Sequence, residues 1–278
     1  MKYYLAILII CLSIFSSAQD NSIPASQETF MKLHYQNSDI AAKMLAYDHV
    51  AWVSSDSVQT LSEEELSTYG GQWFCYLDSI GVYHALYGAY DSNYTLTAHY
   101  LVDSITYAVN RSFAPFDTTL ASSYSKAYNL SLSRKREFLG MDDRLRYNHF
   151  IFHTDSTISV HFVPAFQPNG YMIYGAEQHY TLNSDATKII DTLEYYDEYR
   201  GYQQAPVKEI TIGFDKLNYN SIGALFFLMY YEQYFKSITI RTNNYITTTI
   251  KGKDGDISWL HAERVQPKEK KKKKKKRN

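Results

Sequence analysis

Residues 73–110, "WFCYLDSIGVYHALYGAYDSNYTLTAHYLVDSITYAVN", decide the fold, because apolar and polar residues alternate along most of this stretch. Tyrosine, threonine and β-branched residues, which favour strands, fill four short segments. The segments are separated by residues 78–81, 91–93 and 103–104, which contain the residue types that form turns. The stretch therefore predicts four antiparallel strands joined by tight turns.

Residues 149–196, "HFIFHTDSTISVHFVPAFQPNGYMIYGAEQHYTLNSDATKIIDTLEYY", follow the same plan. Turn residues interrupt the alternation at 154–156, 167–170 and 183–185. Asn169 and Gly170 together are a strong hairpin signal, since both tolerate positive φ. We expect a second meander of four strands.

A short motif occurs in both meanders. The tripeptide YGA stands at residues 87–89 and 174–176, and YTL follows at 94–96 and 180–182. A glycine inside a strand marks a bulge or a close backbone approach. The motif is therefore predicted to be a structural device.

Helices are predicted outside the meanders. Residues 117–139 carry apolar residues at helical spacing, with Asp117 as N-cap and Gly140 as the stop. An earlier helix is predicted from Asp39, as N-cap, through Tyr47. Residues 62–65 read "SEEE", the capping box of a short helix that ends by Gly70.

The C-terminal part predicts further strands in four segments: 206–214, 224–231, 237–252 and 256–262. A turn at 253–255 joins the last two, and about 15 residues from Tyr219 are alternatively helical. The predicted fold class is α+β: mostly antiparallel β meanders, as a curved sheet or sandwich, with one or two packed helices. Residues 19–267 are expected to form a single domain.

The first 18 residues have the layout of a secretory signal peptide. Lys2 precedes an apolar stretch at residues 5–15, and cleavage is expected after Ala18. The apolar stretch is too short to span a bilayer. Removal of the leader also removes Cys11 and leaves Cys75 as the single cysteine, so no intramolecular disulfide forms. We expect an exported protein that is not transmembrane and stays in the periplasm, the cell envelope or the medium.

Charge is concentrated at the C-terminus. Residues 268–278 hold nine of the 28 basic residues and one of the 29 acidic ones. Without them and Lys2, the body keeps 18 basic and 28 acidic residues. This acidic body argues against nucleic-acid binding by the folded domain. The tail, which is not expected to fold alone, is either simply solvated or docks on an anionic surface through Lys270, Lys271, Lys272, Lys273, Lys274, Lys275 and Lys276.

The segment "YGAEQHYTL" (174–182) carries the main candidates for chemistry. Glu177 and His179 are two residues apart on a predicted strand and therefore point to the same face. With His161, from an earlier strand of the same meander, they could relay protons or bind a metal, although a catalytic zinc site needs three protein ligands. Whether His161 faces the same side depends on the turn lengths, which the sequence does not fix. The alternative is that all three are ordinary hydrogen-bonded side chains.

Two more histidines lie near this group in the predicted sheet. His149 and His153 share the strand before that of His161. With a two-residue turn at 155–156, His161 pairs with Phe150, so it faces away from His149 and His153. Cys75 stands mid-strand between Phe74 and Tyr76, which favours a buried structural residue.

A second candidate site is rich in tyrosine, of which the chain has 27 residues. Aromatic rings stack on sugar faces and carboxylates accept hydrogen bonds from sugar hydroxyls. Such a set stands where a strand is predicted to give way to a loop: Tyr195, Tyr196, Asp197, Glu198 and Tyr199. Ligand binding is one interpretation, and a strand end with solvated charges is the other.

Aspartate followed by serine or threonine, and then by an aliphatic residue or threonine, occurs six times. The pairs begin at Asp56, Asp78, Asp103, Asp117, Asp155 and Asp191. Turn formation and helix capping explain such pairs. The pattern also resembles the O-glycosylation acceptor of exported proteins of the Bacteroidota. The leader ending "SSAQ" and the stretch "PAFQPNGYMIYGAE" (164–177) are similar to uncharacterised exported proteins of that phylum, a resemblance that implies no activity.

No P-loop, GxGxxG, GxSxG, HExxH or paired CxxC motif is present. We therefore expect no cofactor and no metal. The sequence favours an exported, non-catalytic, β-rich protein that binds a glycan or a protein partner. The alternative is a hydrolase of envelope or extracellular polymer acting through Glu177, His179 and His161.

Overall fold

The computed structural model describes residues 26–90, 93–140, 145–205, 208–251 and 257–264. The fold is α+β, with three four-stranded sheets, mostly antiparallel, and helices packed against them. The predicted fold class is therefore confirmed. The expected leader, the turn at 253–255 and the basic tail lie outside the described residues.

The first meander has the predicted strands and order. They are β1 (Gln72–Leu77), β2 (Val82–Tyr90), β3 (Tyr94–Asp103) and β4 (Val109–Ser112), each antiparallel to the next. The side chain of Asp78 closes the first turn, where its Oδ1 accepts from the amides of Ile80 and Val82, both at 2.9 Å. A turn held by its own aspartate fixes the register of both strands.

The second meander also has the predicted order. Its strands are β5 (Tyr147–His153), β6 (Thr157–Pro164), β7 (Tyr171–Asn183) and β8 (Ile189–Gln203), all antiparallel. Gly170 has the positive φ, 79°, that the hairpin requires. His161 pairs with Phe150, as the two-residue turn predicts.

The shared YGA motif marks a bulge in both meanders. The register of β2 against β3 shifts between Tyr87 and Gly88, and that of β7 against β8 shifts across Gly175, whose φ is 85°. A Cβ atom on Gly88 would lie 2.1 Å from the carbonyl oxygen of Thr95. The structural interpretation of the motif is confirmed.

The third sheet contains the one departure from antiparallel pairing among the described strands. It has the order β12 (Ile257–Glu263), β11 (Tyr245–Lys251), β10 (Ser237–Thr242), β9 (Glu209–Phe214). Strands β9 and β10 are parallel. A parallel pair needs a crossover connection, and helix α4 (Ile222–Tyr231) supplies it.

The predicted strand at 224–231 is therefore wrong, and the helical alternative is correct. Ser221 is the N-cap of α4, where its Oγ accepts from the amide of Ala224 at 3.2 Å. Seven of the ten residues of the helix are buried. A continuous apolar run carries no alternation that could separate a buried strand from a buried helix.

The other helices are α1 (Gln27–Val58), α2 (Glu63–Leu66) and α3 (Thr118–Leu139). The capping box of α2 is confirmed, as are both ends of α3, where Asp117 caps the first turn and Gly140 is left-handed. Helix α1, however, begins after Ser26 rather than at Asp39. The Ser26 side chain accepts from the amide of Thr29, and Asp39 is an exposed residue inside the helix.

Buried residues form two hydrophobic clusters, a larger one around α1 and α4 and a smaller one under α3. Helix α1 contacts the first and third sheets. Its Phe30 ring stacks on Tyr245 at 3.9 Å between centroids, and the Tyr47 hydroxyl accepts from the amide of Cys75 at 3.1 Å. Within the described residues, no helix combines the length and apolarity needed to span a membrane.

We predict that Gly88→Ala destabilises the protein by about 3 kcal/mol, because the new Cβ meets the Thr95 carbonyl and backbone must move. Gly71→Ala is the matched control. Gly71 has a φ of 78° but nothing within 4 Å of an added Cβ, so only the left-handed strain of about 1 kcal/mol is expected. Urea denaturation measures both, and equal losses would contradict the close approach at Gly88.

Candidate functional site

The three residues singled out in the second meander do meet. His179 Nε2 donates to Glu177 Oε2 at 2.5 Å on the same face of β7. His161, on β6, is the direct cross-strand neighbour of His179, and their Nδ1 atoms are 2.9 Å apart. With His179 protonated at Nε2, its Nδ1 accepts from Nδ1–H of His161, so the three form one hydrogen-bonded chain.

Glu177 also accepts hydrogen bonds from the N-terminal end of α4. The hydroxyl of Ser221 donates to Oε1 of Glu177, and the amide of Gly223 donates to Oε2 at 2.6 Å. A carboxylate at this position interacts favourably with the N-terminal end of the helix dipole. The approach is so close that a Cβ on Gly223 would lie 2.5 Å from Oε2 of Glu177.

Burial limits the chemistry that this hydrogen-bonded group can perform. Glu177, His179 and His161 are 2%, 6% and 5% exposed. The cavity beside Glu177 and Gly223 has a volume of about 10 Å³, which is the space of a single water. A sugar ring cannot enter it. In this geometry the three residues link the start of α4 to β7 and β6.

The remaining histidines of the predicted group lie apart from it. His149 Nε2 donates to the carbonyl of Trp73 at 3.2 Å, and His153 Nδ1 is 2.6 Å from the hydroxyl of Tyr124. Among the residues that the structure describes, no three His, Cys, Asp or Glu side chains are arranged to hold a metal ion. Cys75 is buried, and burial raises the pKa of its thiol well above the usual value.

The tyrosine-rich segment lies within β8, which continues to Gln203, so the predicted loop is wrong. The five candidates are spread around the bulge opposite Gly175 rather than gathered in one site. Tyr195 is buried against Phe214, while the exposed Tyr196 and the half-buried Tyr199 form an edge-to-face pair. Their role in ligand binding stays a prediction.

The charged members of that segment are engaged locally. Asp197 binds Arg200 at 3.1 Å and Lys216 at 2.8 Å. Glu198 has a φ of 64°, which the bulge imposes on it. A carboxylate already paired with two cations is a weak acceptor for sugar hydroxyls.

A different concave site is formed by α1, β1, β2, β5 and α4 together. This aromatic cleft has a volume of about 450 Å³, within the range of ligand-binding pockets. Its lining includes Asp48, Trp52, Tyr69, Trp73, Asn148, His149, Phe166 and Tyr230. Trp52 is 63% exposed and Phe166 is 42% exposed, so the aromatic walls are open to solvent.

Asp48 supplies the carboxylate of the aromatic cleft. Its Oδ1 accepts from Nδ2 of Asn148 at 3.2 Å, and its side chain is also hydrogen-bonded to Tyr230 and Trp52. Burial raises the pKa of Asp48 above its usual value, while the hydrogen bonds from Tyr230 and Trp52 act in the opposite direction. His49, the next residue, favours the ionised form.

The cleft continues past this carboxylate. A second depression of about 560 Å³ shares Asp48, Trp52 and Tyr230 with the first and extends along Tyr107 and Tyr234. The hydrogen-bonded group of Asp48, Trp52 and Tyr230 therefore stands between two open volumes. A ligand longer than one ring could contact both.

The sequence does not reveal this site, because its residues come from five elements and the segments between them, spread from position 48 to 230. One local signal exists: Asp48 and Trp52 are four residues apart, which places them on the same face of a helix. Two of the three tryptophans of the chain line the cleft.

Three of the six aspartate pairs have a local structural role. Asp78 and Asp103 close turns, and Asp117 caps α3. The hydroxyl residues Ser79, Thr118, Ser156 and Thr192 are exposed. Glycosylation at these positions stays a prediction.

Comparison with known proteins finds no matching family model, no similar curated protein and no similar solved structure. The candidate site therefore rests on the geometry of the chain itself.

We predict that Glu177→Gln lowers the free energy of unfolding by about 2–4 kcal/mol. The amide brings one of its donors against Ser221, Gly223 or His179, which all donate to the carboxylate. Urea denaturation gives the value. Glu64→Gln, at an exposed position of α2, serves as control and should change stability by no more than about 0.5 kcal/mol. A loss below 1 kcal/mol for Glu177→Gln (a threshold of about one weak hydrogen bond) would contradict the anchoring role.

We also predict that the protein loses stability between pH 7 and pH 5. Burial lowers the pKa of His161 well below its usual value, and it lowers those of His34 and His99 to about 4. Below about pH 6.5 the unfolded chain binds protons that the folded chain excludes, so stability falls by about 1 kcal/mol per pH unit for each such histidine near pH 5.

Denaturation at several pH values measures this slope. His161→Gln keeps a hydrogen-bonding side chain beside His179 but cannot titrate, so it should flatten the slope by about one histidine's share. A free energy of unfolding that is constant from pH 7 to pH 5 would show that these histidines are not excluded from protonation.

Proposed function

We propose that this protein is exported and binds a glycan through the aromatic cleft, without catalysing a reaction. The observation that carries the proposal is the pairing of open aromatic walls with a hydrogen-bonded carboxylate in one concave volume. Sugar rings present apolar C–H faces that pack on aromatic rings and hydroxyls that donate to carboxylates.

The shape of the site favours a small or chain-like ligand over a folded protein partner. The cleft is concave, and its polar groups Asp48, Asn148 and His149 stand among aromatic residues. Such a mixture of groups orients a ligand that has both apolar ring faces and hydroxyl groups. The second depression beside Tyr107 gives room for further rings of an oligosaccharide.

The hydrolase alternative has less support. Glu177, His179 and His161 are buried, and the cavity that Glu177 lines beside α4 has a volume of only about 10 Å³. Glycoside hydrolysis commonly uses two carboxyl groups that flank the scissile bond. Asp48 is the single carboxylate among the described residues that line the aromatic cleft.

The proposed location depends on the sequence of the first 18 residues, which has the features of a secretory leader. In the same proposal, the lysine-rich tail holds the protein near an anionic envelope surface. A glycan-binding protein at that location meets polysaccharides directly.

We predict that Trp52→Ala weakens oligosaccharide binding at least about tenfold, the equivalent of about 1.4 kcal/mol, because one aromatic wall is lost. Isothermal titration calorimetry with soluble β-1,4-linked tetrasaccharides of glucose, N-acetylglucosamine and glucosamine measures the affinity. Tryptophan fluorescence provides a second readout, since Trp52 and Trp73 both line the cleft.

Tyr35→Ala is the matched control. Tyr35 lies on the same helix and is 57% exposed, close to the 63% of Trp52, but it lies outside the lining of the cleft. This variant should bind as the unaltered protein does. Absence of heat and of any fluorescence change with all three tetrasaccharides at millimolar concentration would reject glycan binding by this cleft.

A further inference from the structure

Asp48, like Glu177, is a buried carboxylate held by neutral donors, but Asp48 lines an open cleft. Glu194 binds Arg134 and Asp197 binds Arg200, whereas the hydrogen bonds to Asp48 come from Asn148, Tyr230 and Trp52. These donors are neutral. Asp48 is only 8% exposed, so its negative charge is largely removed from water without a cationic partner in contact.

A buried charge is costly unless a charge of opposite sign compensates it. Neutral donors satisfy the lone pairs of the carboxylate but leave its net charge in place. A ligand bound in the adjacent cleft could supply the compensating cation.

The surroundings of Asp48 also favour a positive group. Among the described residues that line the two depressions there is no lysine or arginine, and the titratable neighbours are His49, His149 and several tyrosines. Lys135 contacts the Tyr147 ring at 3.7 Å and acts on His149, but it is not a lining residue. The ring faces of Trp52 and Tyr230 are themselves attractive to cations.

We propose that the aromatic cleft prefers a saccharide that carries a free amino group, with the ammonium seated against Asp48 between Trp52 and Tyr230. This inference rests on the proposed glycan binding and names its substrate class. The acidic body, with 18 basic and 28 acidic residues, adds a long-range attraction for such a ligand.

The test compares three tetrasaccharides on the unaltered protein by calorimetry at pH 6 and low salt, where amino groups of glucosamine are mostly protonated. The glucosamine tetramer should bind about tenfold more tightly than the glucose and N-acetylglucosamine tetramers, because it adds a charged hydrogen bond and a cation–π contact. The preference should shrink as salt is added. This comparison needs only the unaltered protein, so it does not depend on the folding of a variant.

The variant Asp48→Asn removes the charge but keeps an oxygen for Asn148, Tyr230 and Trp52. It should reduce the preference for the glucosamine tetramer to less than about twofold. Asp39→Asn is the control, because it removes the same charge from an exposed position of α1, about 13 Å away along the axis and on the opposite face. It should keep the preference. Near-UV circular dichroism confirms that both variants are folded.

The outcomes separate the two proposals. If all three tetramers bind with the same affinity, or if Asp48→Asn keeps the preference, the cleft binds glycans but the proposed ammonium site beside Asp48 is rejected. If none binds, the proposed function and this inference both fail. A preference lost equally in Asp48→Asn and Asp39→Asn would assign it to the overall charge of the body and would also reject the ammonium site.

Discussion

The carboxylate of Glu177 is the interaction on which the rest of the structure depends. It is 2% exposed, and burying it is tolerable only because Ser221, Gly223 and His179 all donate to it. Two of these donors belong to the start of α4 and one to β7. The Glu177 carboxylate therefore joins the second meander to the crossover helix of the third sheet.

The consequences extend to the opposite end of α4. The helix connects the parallel strands β9 and β10, so its position sets how the third sheet lies against the second. Near its C-terminal end it presents Tyr230 to the aromatic cleft. A second polar link holds α1 beside it, because Asn37 donates to the carbonyl of Asn220 at 2.8 Å, and Asn220 donates to Thr247 on β11 at 2.8 Å. Asp48 and Tyr230 meet because both helices are fixed in this way.

The parts of the fold that the sequence predicts are those that local chemistry determines. The two meanders, the capped ends of α3 and the bulges at Gly88 and Gly175 depend on alternation, turn residues and glycine within a few positions. The shared face of Glu177 and His179 also follows from the period of two, whereas the position of His161 beside them depends on turn lengths that the sequence leaves open. The burial of these residues does not follow from local sequence, because it depends on α4, whose apolar run has no periodicity to identify it.

The aromatic cleft could not be predicted from local sequence for a related reason. Its walls come from elements that are distant in the chain. The long helix that carries Asp48 and Trp52 covers Gln27–Val58 and extends beyond the predicted range at both ends. Only a four-residue spacing hints at the site. Tyrosine and tryptophan are as common in cores as in binding sites, so composition cannot distinguish the two uses.

The two buried carboxylates show how one chemical group takes different roles. Glu177 has a backbone amide, a hydroxyl and an imidazole as donors, and α4 closes the space above it to about 10 Å³. Asp48 also has neutral donors, but it opens onto about 450 Å³. A group whose bonding capacity is used and whose surroundings are closed contributes to stability. A carboxylate at the wall of an open cleft is accessible to a ligand, and this difference in surroundings, rather than residue type, is the reason for proposing the cleft as the binding site.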